Sequence, residues 1–186
     1  MRYRRCDISG GTYFFTVNLA ERSSGLLVEQ INTLRDAVRT VKQRHPFDIE
    51  AMVILPDHLH AIWSLPEGDA DYPTRWMLIK AQFSRSLPPG ERIRASRARK
   101  GERGIWQRRY WEHWIRDERD FARHVDYIHY NPVKHGYVSR PVEWPYSSLH
   151  RYIRRGVLPA DWGVAIDDPE DGPFGERESK GTPDGW

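Results

Sequence analysis

The stretch 51–63 constrains the fold of this chain more than any other, because it reads as two β-strands with a histidine pair in the second. Apolar, β-prone residues lie on both sides of a break at Pro56-Asp57. Side chains alternate faces along a strand, so His58 and His60 project from the same face. Two such imidazoles can converge on a divalent metal ion. A chance pair on a half-buried strand would look the same, and the pair alone leaves both interpretations open.

Charge is unevenly distributed along the chain. Its 186 residues are 39% hydrophobic, which is typical of one globular domain, and they carry a net charge of +3. Residues 164–186 contain seven acidic and two basic residues, a balance of −5, so residues 1–163 carry +8. We therefore expect a domain over 1–163 followed by an acidic, disordered tail. A basic body favours a polyanionic partner, nucleic acid before membrane, over ordinary surface charge.

The cysteine count and the amino terminus bear on the compartment. Cys6 is the single cysteine, which excludes an internal disulfide and a zinc knuckle. The first residues lack the apolar stretch of a signal peptide, and no apolar span suits a membrane. The sequence therefore predicts a cytoplasmic protein without a membrane partner.

Periodic apolar residues predict the helices before and after the central strands. From Leu27 to Val41 they recur at spacings of four and three, which predicts an amphipathic helix ended by Pro46. A second helix is expected from an N-cap at Thr74, with Trp76 and later apolar residues facing inward. The aromatic run 12–18 predicts a strand, and the aromatic segment 105–115 a strand or strand-turn. A short helix is expected over 148–155.

A third helix carries the residues that matter most. Asp117 should open it, and it should end near Asn131, because the residue before Pro132 avoids helical geometry. Tyr127 and Asn131 are four apart and share a face, with His124 one turn earlier. Spacing alone does not make Tyr127 a nucleophile rather than a packed tyrosine, and Asn131 could be only a helix cap.

Basic residues cluster in four segments that are candidates for phosphate contacts. The amino terminus and the segment 92–103 are rich in arginine, with a solvated loop or terminus as the alternative. Arginines also lie between the aromatic residues of 105–115, where rings could stack on bases or pack in the core, and in the last helix. The candidate DNA-binding residues are Arg2, Arg4, Arg5, Arg92, Arg94, Arg97, Arg99, Lys100, Arg103, Arg108, Arg109, Arg151 and Arg154.

Four stretches together resemble a known family. They are Gly-Gly-Thr-Tyr-Phe-Phe-Thr-Val-Asn at 10–18, Leu-Pro-Asp-His-Leu-His-Ala-Ile-Trp at 55–63, Ile-Trp-Gln with Trp-Glu-His between 105 and 113, and His-Val-Asp-Tyr-Ile-His-Tyr-Asn-Pro-Val-Lys-His-Gly at 124–136. Trp-Pro-Tyr-Ser-Ser at 144–148 extends the match. In this order they resemble the REP-associated tyrosine transposases of the single-tyrosine HUH superfamily.

The resemblance implies roles for individual residues. His58 and His60 would be the HUH metal pair, Tyr127 the nucleophile, and Asn131 the third ligand, a position at which relatives vary. Tyr130 competes with Tyr127 but stands directly before Asn-Pro, which is not the nucleophile's place. The neutral oxygen of Asn131 suits Mg²⁺ or Mn²⁺ better than zinc.

The resemblance also implies a fold and an activity. The fold would be α+β, a ferredoxin-like antiparallel sheet with helices packed on one face, and Tyr127 on a helix across from the histidines. The enzyme would nick single-stranded or hairpin DNA of repetitive extragenic palindromes, leaving a 5′-phosphotyrosine and a free 3′-hydroxyl, and transfer the strand. A nucleoid-associated monomer is expected, with a dimer as the alternative.

Two other classes of function compete with this one. A module that binds palindromic DNA without cutting it would have the same basic and aromatic surface. A hydrolase that uses the histidine pair to activate water would leave no covalent adduct with DNA, and Asp57 is the only nearby carboxylate. The full set His58, His60, Tyr127 and Asn131 favours retained strand-transfer chemistry.

Overall fold

In the computed structural model, which describes residues 8–90 and 103–164, four antiparallel strands form one sheet. The strands lie side by side in the order β2-β3-β1-β4. They are β1 (Thr12–Asn18), β2 (Asp48–Ile54), β3 (His58–Ser64) and β4 (Trp111–Trp114). The two strands predicted around the Pro56-Asp57 break are therefore neighbours, and β3 lies inside the sheet between β2 and β1.

Helices connect and follow these strands. They are α1 (Leu26–Glu29), α2 (Ile31–Arg44), α3 (Tyr72–Ser86), α4 (Glu118–Lys134) and α5 (Leu149–Arg154). With α1 and α2 counted as one helical connection, the described elements from β1 to β4 follow the order strand, helix, strand, strand, helix, strand. Together with the sheet order, this is the ferredoxin-like arrangement. The α+β class and the antiparallel sheet are confirmed.

Helices lie on both faces of the sheet rather than on one. Residues of β1 and β3 such as Phe15 and Trp63 pack with α2 and α3 on one face. Phe14 and Ile62, which point the other way, pack with Val125 of α4. The physical reason is that the inner strands are buried at nearly every position, so both faces must be covered. The expectation that helices cover one face holds for α2 and α3. It is wrong for α4, which lies on the opposite face.

One predicted helix and two helix ends differ from the prediction. The helix expected from Leu27 is interrupted at Gln30, whose φ of −109° and ψ of 33° separate α1 from α2. The N-cap of α3 is Asp71 rather than Thr74, because the Asp71 carboxylate accepts a hydrogen bond from the Thr74 backbone N–H at 3.1 Å. Helix α4 begins as predicted, with the Asp117 carboxylate bound to the Asp120 N–H at 2.8 Å. It does not end near Asn131 but continues through Pro132 to Lys134.

The proline is tolerated because it lies in the last turn of α4. It removes one N–H donor, and the backbone N–H groups of His135 and Gly136 still bond to the carbonyls of Asn131 and Val133. Gly136 then takes a φ of 70°, which ends the helix. Asn131 therefore lies inside the helix with its side chain buried, not at a cap.

The aromatic segment 105–115 contributes less strand than expected. Only Trp111–Trp114 forms β4, while Trp106 makes an isolated bridge with Leu19 and is buried in the core. The short final helix is confirmed at Leu149–Arg154. Within the described residues, no helix is both long and apolar enough to cross a membrane.

Candidate active site

The histidine pair lies on the sheet face that α4 covers. His58 and His60 are 1% and 0% exposed, and their ring centroids are 5.0 Å apart at an interplanar angle of 85°. The lone pair of an imidazole nitrogen lies in the plane of its ring. Two imidazole rings this close together on one strand face could both supply a nitrogen to a single ion.

Each histidine is held through its Nδ1 atom. His58 Nδ1 lies 2.7 Å from Asp57 Oδ1, and His60 Nδ1 lies 2.9 Å from the hydroxyl of Thr16. A carboxylate accepts and a hydroxyl can accept, so both Nδ1 atoms can donate and leave the lone pair on Nε2. This is the arrangement in which second-shell acceptors orient histidine ligands of a metal.

Asp57 is itself held in its charged form. Arg22 Nε lies 2.8 Å from Asp57 Oδ2. Burial raises the pKa of the carboxyl, but the hydrogen bond from His58 and the charges of His58 and Arg22 outweigh burial, so the pKa lies below its usual value. An ionised Asp57 keeps the proton of His58 on Nδ1.

Helix α4 places Tyr127 beside the pair, with Asn131 one turn further along the helix. The Tyr127 ring lies 5.2 Å from that of His60, and Phe14 lies against both. Tyr127 and Asn131 are 2% and 0% exposed, and they share one stripe of the helix. The structure thus assembles three of the four expected site residues through ring contacts and places Asn131 one turn further along the same stripe.

Two residues at the end of α4 join this group. His135 lies 5.0 Å from the ring of His58, and the Lys134 ammonium lies 5.0 Å from the centroid of the Tyr127 ring. Both are exposed, unlike the four expected site residues. Sequence reasoning missed them, although the four-residue spacing from Tyr127 through Asn131 continues to His135.

The other residues that sequence reasoning missed are Thr16 and Arg22, along with the role of Asp57. Asp57 directly precedes His58 in the sequence, so its contact with the histidine pair could have been predicted from this position. Thr16 could be found only from the register, in which it pairs with His60 across β1 and β3. Arg22 lies in the loop after β1 and carried no signal.

A second group of metal-binding residue types lies nearby. Among residues 8–90 and 103–164, ligand atoms of His113, Asp120 and His124 lie within 4.8 Å of one another. The two imidazoles are stacked at 4.7 Å with only 14° between their planes, so their in-plane lone pairs do not converge. His113 Nε2 lies 2.8 Å from an Asp120 carboxylate oxygen, and His124 Nδ1 lies 2.8 Å from the Asp120 carbonyl oxygen. The group therefore ties β4 to α4 by hydrogen bonds.

The candidate DNA-binding residues fall into three sets. Arg103 donates hydrogen bonds to the main-chain carbonyls of Leu87 and Pro88, and Arg151 donates to that of Ile49. Both side chains therefore stabilise the fold. Arg108, Arg109 and Arg154 are exposed. The remaining candidates lie outside the described residues, as does the acidic tail after 164, and they are Arg2, Arg4, Arg5, Arg92, Arg94, Arg97, Arg99 and Lys100.

A ferredoxin-like antiparallel sheet with a His-x-His pair on an inner strand, faced by a tyrosine on a helix, defines the HUH class of single-tyrosine proteins.

No family model matches the chain. Two individual proteins are similar to it over most of their length. The REP-associated tyrosine transposase of Escherichia coli is 48% identical over 166 residues, 89% of this chain and 93% of that protein. A putative REP-associated tyrosine transposase of Haemophilus influenzae is 48% identical over 162 residues, 87% of this chain and 92% of that protein.

The comparison with solved structures indicates the same family as the sequence comparison. A structure of a REP-associated tyrosine transposase bound to a REP hairpin matches with a TM-score of 0.81 and 47% identity, covering 95% of this chain and 98% of that one. The chain therefore belongs to the family of REP-associated tyrosine transposases and is an enzyme of that kind.

Proposed function

We propose that this transposase is a metal-dependent endonuclease and strand transferase for single-stranded DNA at REP-like hairpins, acting through a 5′-phosphotyrosine. The observation that carries the proposal is the contact between Tyr127 and His60, 5.2 Å between ring centroids, on the face where the histidine pair converges. The hairpin in the solved relative supports the choice of substrate.

The residues present fit a hard divalent ion, Mg²⁺ or Mn²⁺. The Nε2 atoms of His58 and His60 and the side-chain oxygen of Asn131 would hold it, with the Nδ1 contacts to Asp57 and Thr16 fixing both rings. When bound, such an ion polarises the phosphoryl oxygens and helps to align the scissile ester.

The protein's own groups carry out the transfer. The Tyr127 oxygen attacks the phosphorus and the bond to the 3′ oxygen breaks. The segment on the 3′ side of the break stays on the tyrosine through its 5′ phosphate, and the other segment is released with a 3′-hydroxyl. The new ester retains a phosphodiester linkage, so a 3′-hydroxyl can reverse the step without an outside energy source. The Lys134 cation near the Tyr127 ring adds positive charge where the phosphate must sit.

The approach of the DNA is restricted by burial. Tyr127 and both histidines are at most 2% exposed, whereas Lys134 and His135 are exposed at the same site. Among these described residues, the exposed ones lie at the carboxyl end of α4, and we place the entry of the phosphodiester there. That helix end carries a partial negative charge, which the Lys134 ammonium offsets.

Binding of the hairpin itself is assigned to the exposed basic residues. Arg108, Arg109 and Arg154 form this set. The basic candidates at 2–5 and 92–100 lie outside the described residues, and we add them on the basis of their charge alone. Arg103 and Arg151 contribute less, because their guanidinium groups already bond to main-chain carbonyls. We place the enzyme in the cytoplasm at the nucleoid, acting as a monomer.

The test is covalent capture of DNA by the protein. A labelled single-stranded REP-like hairpin is incubated with the enzyme and Mn²⁺ and then separated by denaturing electrophoresis. A labelled band at the mass of protein plus DNA is expected. Hairpin binding without such a band would identify a binding module, and cleavage without it would identify a hydrolase that activates water.

A further inference from the structure

His135 has no assigned role in the reaction, yet it lies against the histidine pair. Its ring centroid is 5.0 Å from that of His58, with 71° between the planes. It directly follows the last residue of α4, and its side chain is exposed. It is therefore a group that incoming DNA can meet beside the expected metal ligands.

The position of His135 follows from the geometry of α4. Tyr127, Asn131 and His135 are spaced by four and lie on one stripe, and eight residues of α-helix rise about 12 Å. Tyr127 contacts His60 at one end of this stripe, and His135 contacts His58 at the other. The nucleophile and His135 therefore flank the histidine pair from opposite ends.

This placement matters because phosphoryl transfer is an in-line displacement. The attacking and leaving oxygens lie on opposite sides of the phosphorus. With Tyr127 attacking from the His60 end, the leaving 3′ oxygen is directed to the His58 end, where His135 stands. We propose that His135 is a further catalytic residue, whose ring N–H donates a hydrogen bond to the leaving 3′ oxygen; this rests on the proposed function.

The step balances without another reactant. The bond from the Tyr127 oxygen to phosphorus forms as the bond from phosphorus to the 3′ oxygen breaks, and that oxygen keeps the electron pair. The tyrosine proton passes to solvent, and the 3′ oxygen takes up a proton from solvent as the hydroxyl product. His135 stabilises the negative charge that develops on the oxygen between these events.

A role for His135 as a metal ligand fits less well. Within residues 8–90 and 103–164, the ligand atoms of His113, Asp120 and His124 all lie within 4.8 Å of one another. Over the same ranges, the ligand atoms of His58, His60 and His135 do not meet this distance. The ring of His135 therefore lies beside the pair without its nitrogen reaching the same point.

The decisive test compares two leaving groups. One hairpin substrate carries the ordinary 3′ oxygen at the scissile position, and the other carries a 3′ bridging sulfur, which leaves readily without a hydrogen-bond donor. His135→Ala should slow adduct formation about 10²- to 10³-fold with oxygen, the usual effect of removing one such donor, and only a few-fold with sulfur. Asn131→Ala is the control and should be slow with both.

Other outcomes separate the explanations. Equal slowing of both substrates by His135→Ala, or no slowing, would overturn the inference. A loss of Mn²⁺ affinity in this variant, measured by calorimetry without DNA, would make His135 a ligand and also overturn it. If the wild-type enzyme forms no adduct with either substrate, this result contradicts the proposed function itself, and with it the role of His135.

Discussion

The ring of Tyr127 lies 5.2 Å from that of His60, at 73° between the planes. This contact joins helix α4 to strand β3 and places a phenol beside the histidine pair. It distinguishes Tyr127 from Tyr130, which lies in the same helix three residues later.

The contact gives the first prediction. Tyr127→Phe should abolish the covalent adduct while hairpin affinity changes little, because only the attacking oxygen is removed. Tyr130→Phe is the matched control, and it should form the adduct at a rate close to wild type. Denaturing electrophoresis and a binding titration measure the two quantities. An adduct that persists in Tyr127→Phe and disappears in Tyr130→Phe would move the nucleophile to Tyr130.

The second prediction concerns the groups that hold the histidines. Asp57→Asn and Thr16→Val should each weaken Mn²⁺ binding about 10- to 100-fold. The first removes the negative charge that holds the proton of His58 on Nδ1, and the second removes the hydroxyl that orients His60. Calorimetry measures the affinity without DNA. His58→Ala and His60→Ala should weaken it further and reduce cleavage far more than hairpin affinity.

Arg22→Gln provides the graded control for this series. It removes the charge that pairs with Asp57 and leaves the hydrogen bond to His58 in place, so its effect should be smaller than that of Asp57→Asn. Mn²⁺ affinity that is unchanged in both histidine variants would mean that the metal site lies elsewhere, with the His113 group the next to examine.

The third prediction concerns the basic segment between α3 and β4. Replacing Arg97, Arg99 and Lys100 by glutamine should weaken hairpin binding and flatten its salt dependence by about 0.7 to 0.9 per lost phosphate contact. The slope comes from affinities measured over a series of salt concentrations. The matched control removes three exposed charges from α2, with Arg35, Arg39 and Arg44 changed to glutamine. An equal change of slope in both variants would mean that the segment contributes only general charge.

The fourth prediction concerns the acidic tail. A segment with a balance of −5, tethered to a body of +8, should compete with DNA for the basic surface. Truncation after Gly163 should therefore raise hairpin affinity and adduct rate at low salt, with the difference shrinking as salt screens the competing charges. Rates that coincide for the two proteins at every salt concentration would make the tail an inert solubilising segment.

The fifth prediction concerns stability at low pH. His129 is fully buried, its Nε2 lies 2.9 Å from the Ser148 hydroxyl, and burial, with smaller effects from the charges of Arg151 and His150, lowers its pKa from 6.5 to about 3. Between these two values the unfolded chain binds a proton that the folded protein does not. The free energy of unfolding should therefore fall by about 1.4 kcal/mol per pH unit below pH 6.5.

His129→Gln tests this directly, because glutamine can still bond to Ser148 but does not titrate. Urea denaturation of both proteins at about pH 7 and about pH 5 gives the comparison. The wild type should lose about 2 kcal/mol more than the variant between these conditions. Parallel losses in the two proteins would show that other groups, such as His124, dominate the acid response.

Much of the fold could be predicted because its signals are local. The period of two around His58 and His60 and the period of 3.6 from Leu27 to Val41 depend only on backbone geometry. The strand is confirmed, and the helical segment is confirmed apart from a break at Gln30 that divides it into α1 and α2. The end of α4 was placed too early because the rule for residues before proline describes an average. At Asn131 the burial of the side chain and the hydrogen bonds of the last turn outweigh that rule.

The residue types of the site can be read from local patterns: two histidines on one strand face, and a tyrosine and an asparagine on one helix face. Which of these residues meet, and which others support them, depends on how the strands and helices pack. Thr16 reaches His60 through the pairing of β1 with β3, and His135 reaches His58 because α4 crosses the sheet at one particular angle. Such contacts join residues far apart in the chain and depend on register and packing, which no local pattern specifies.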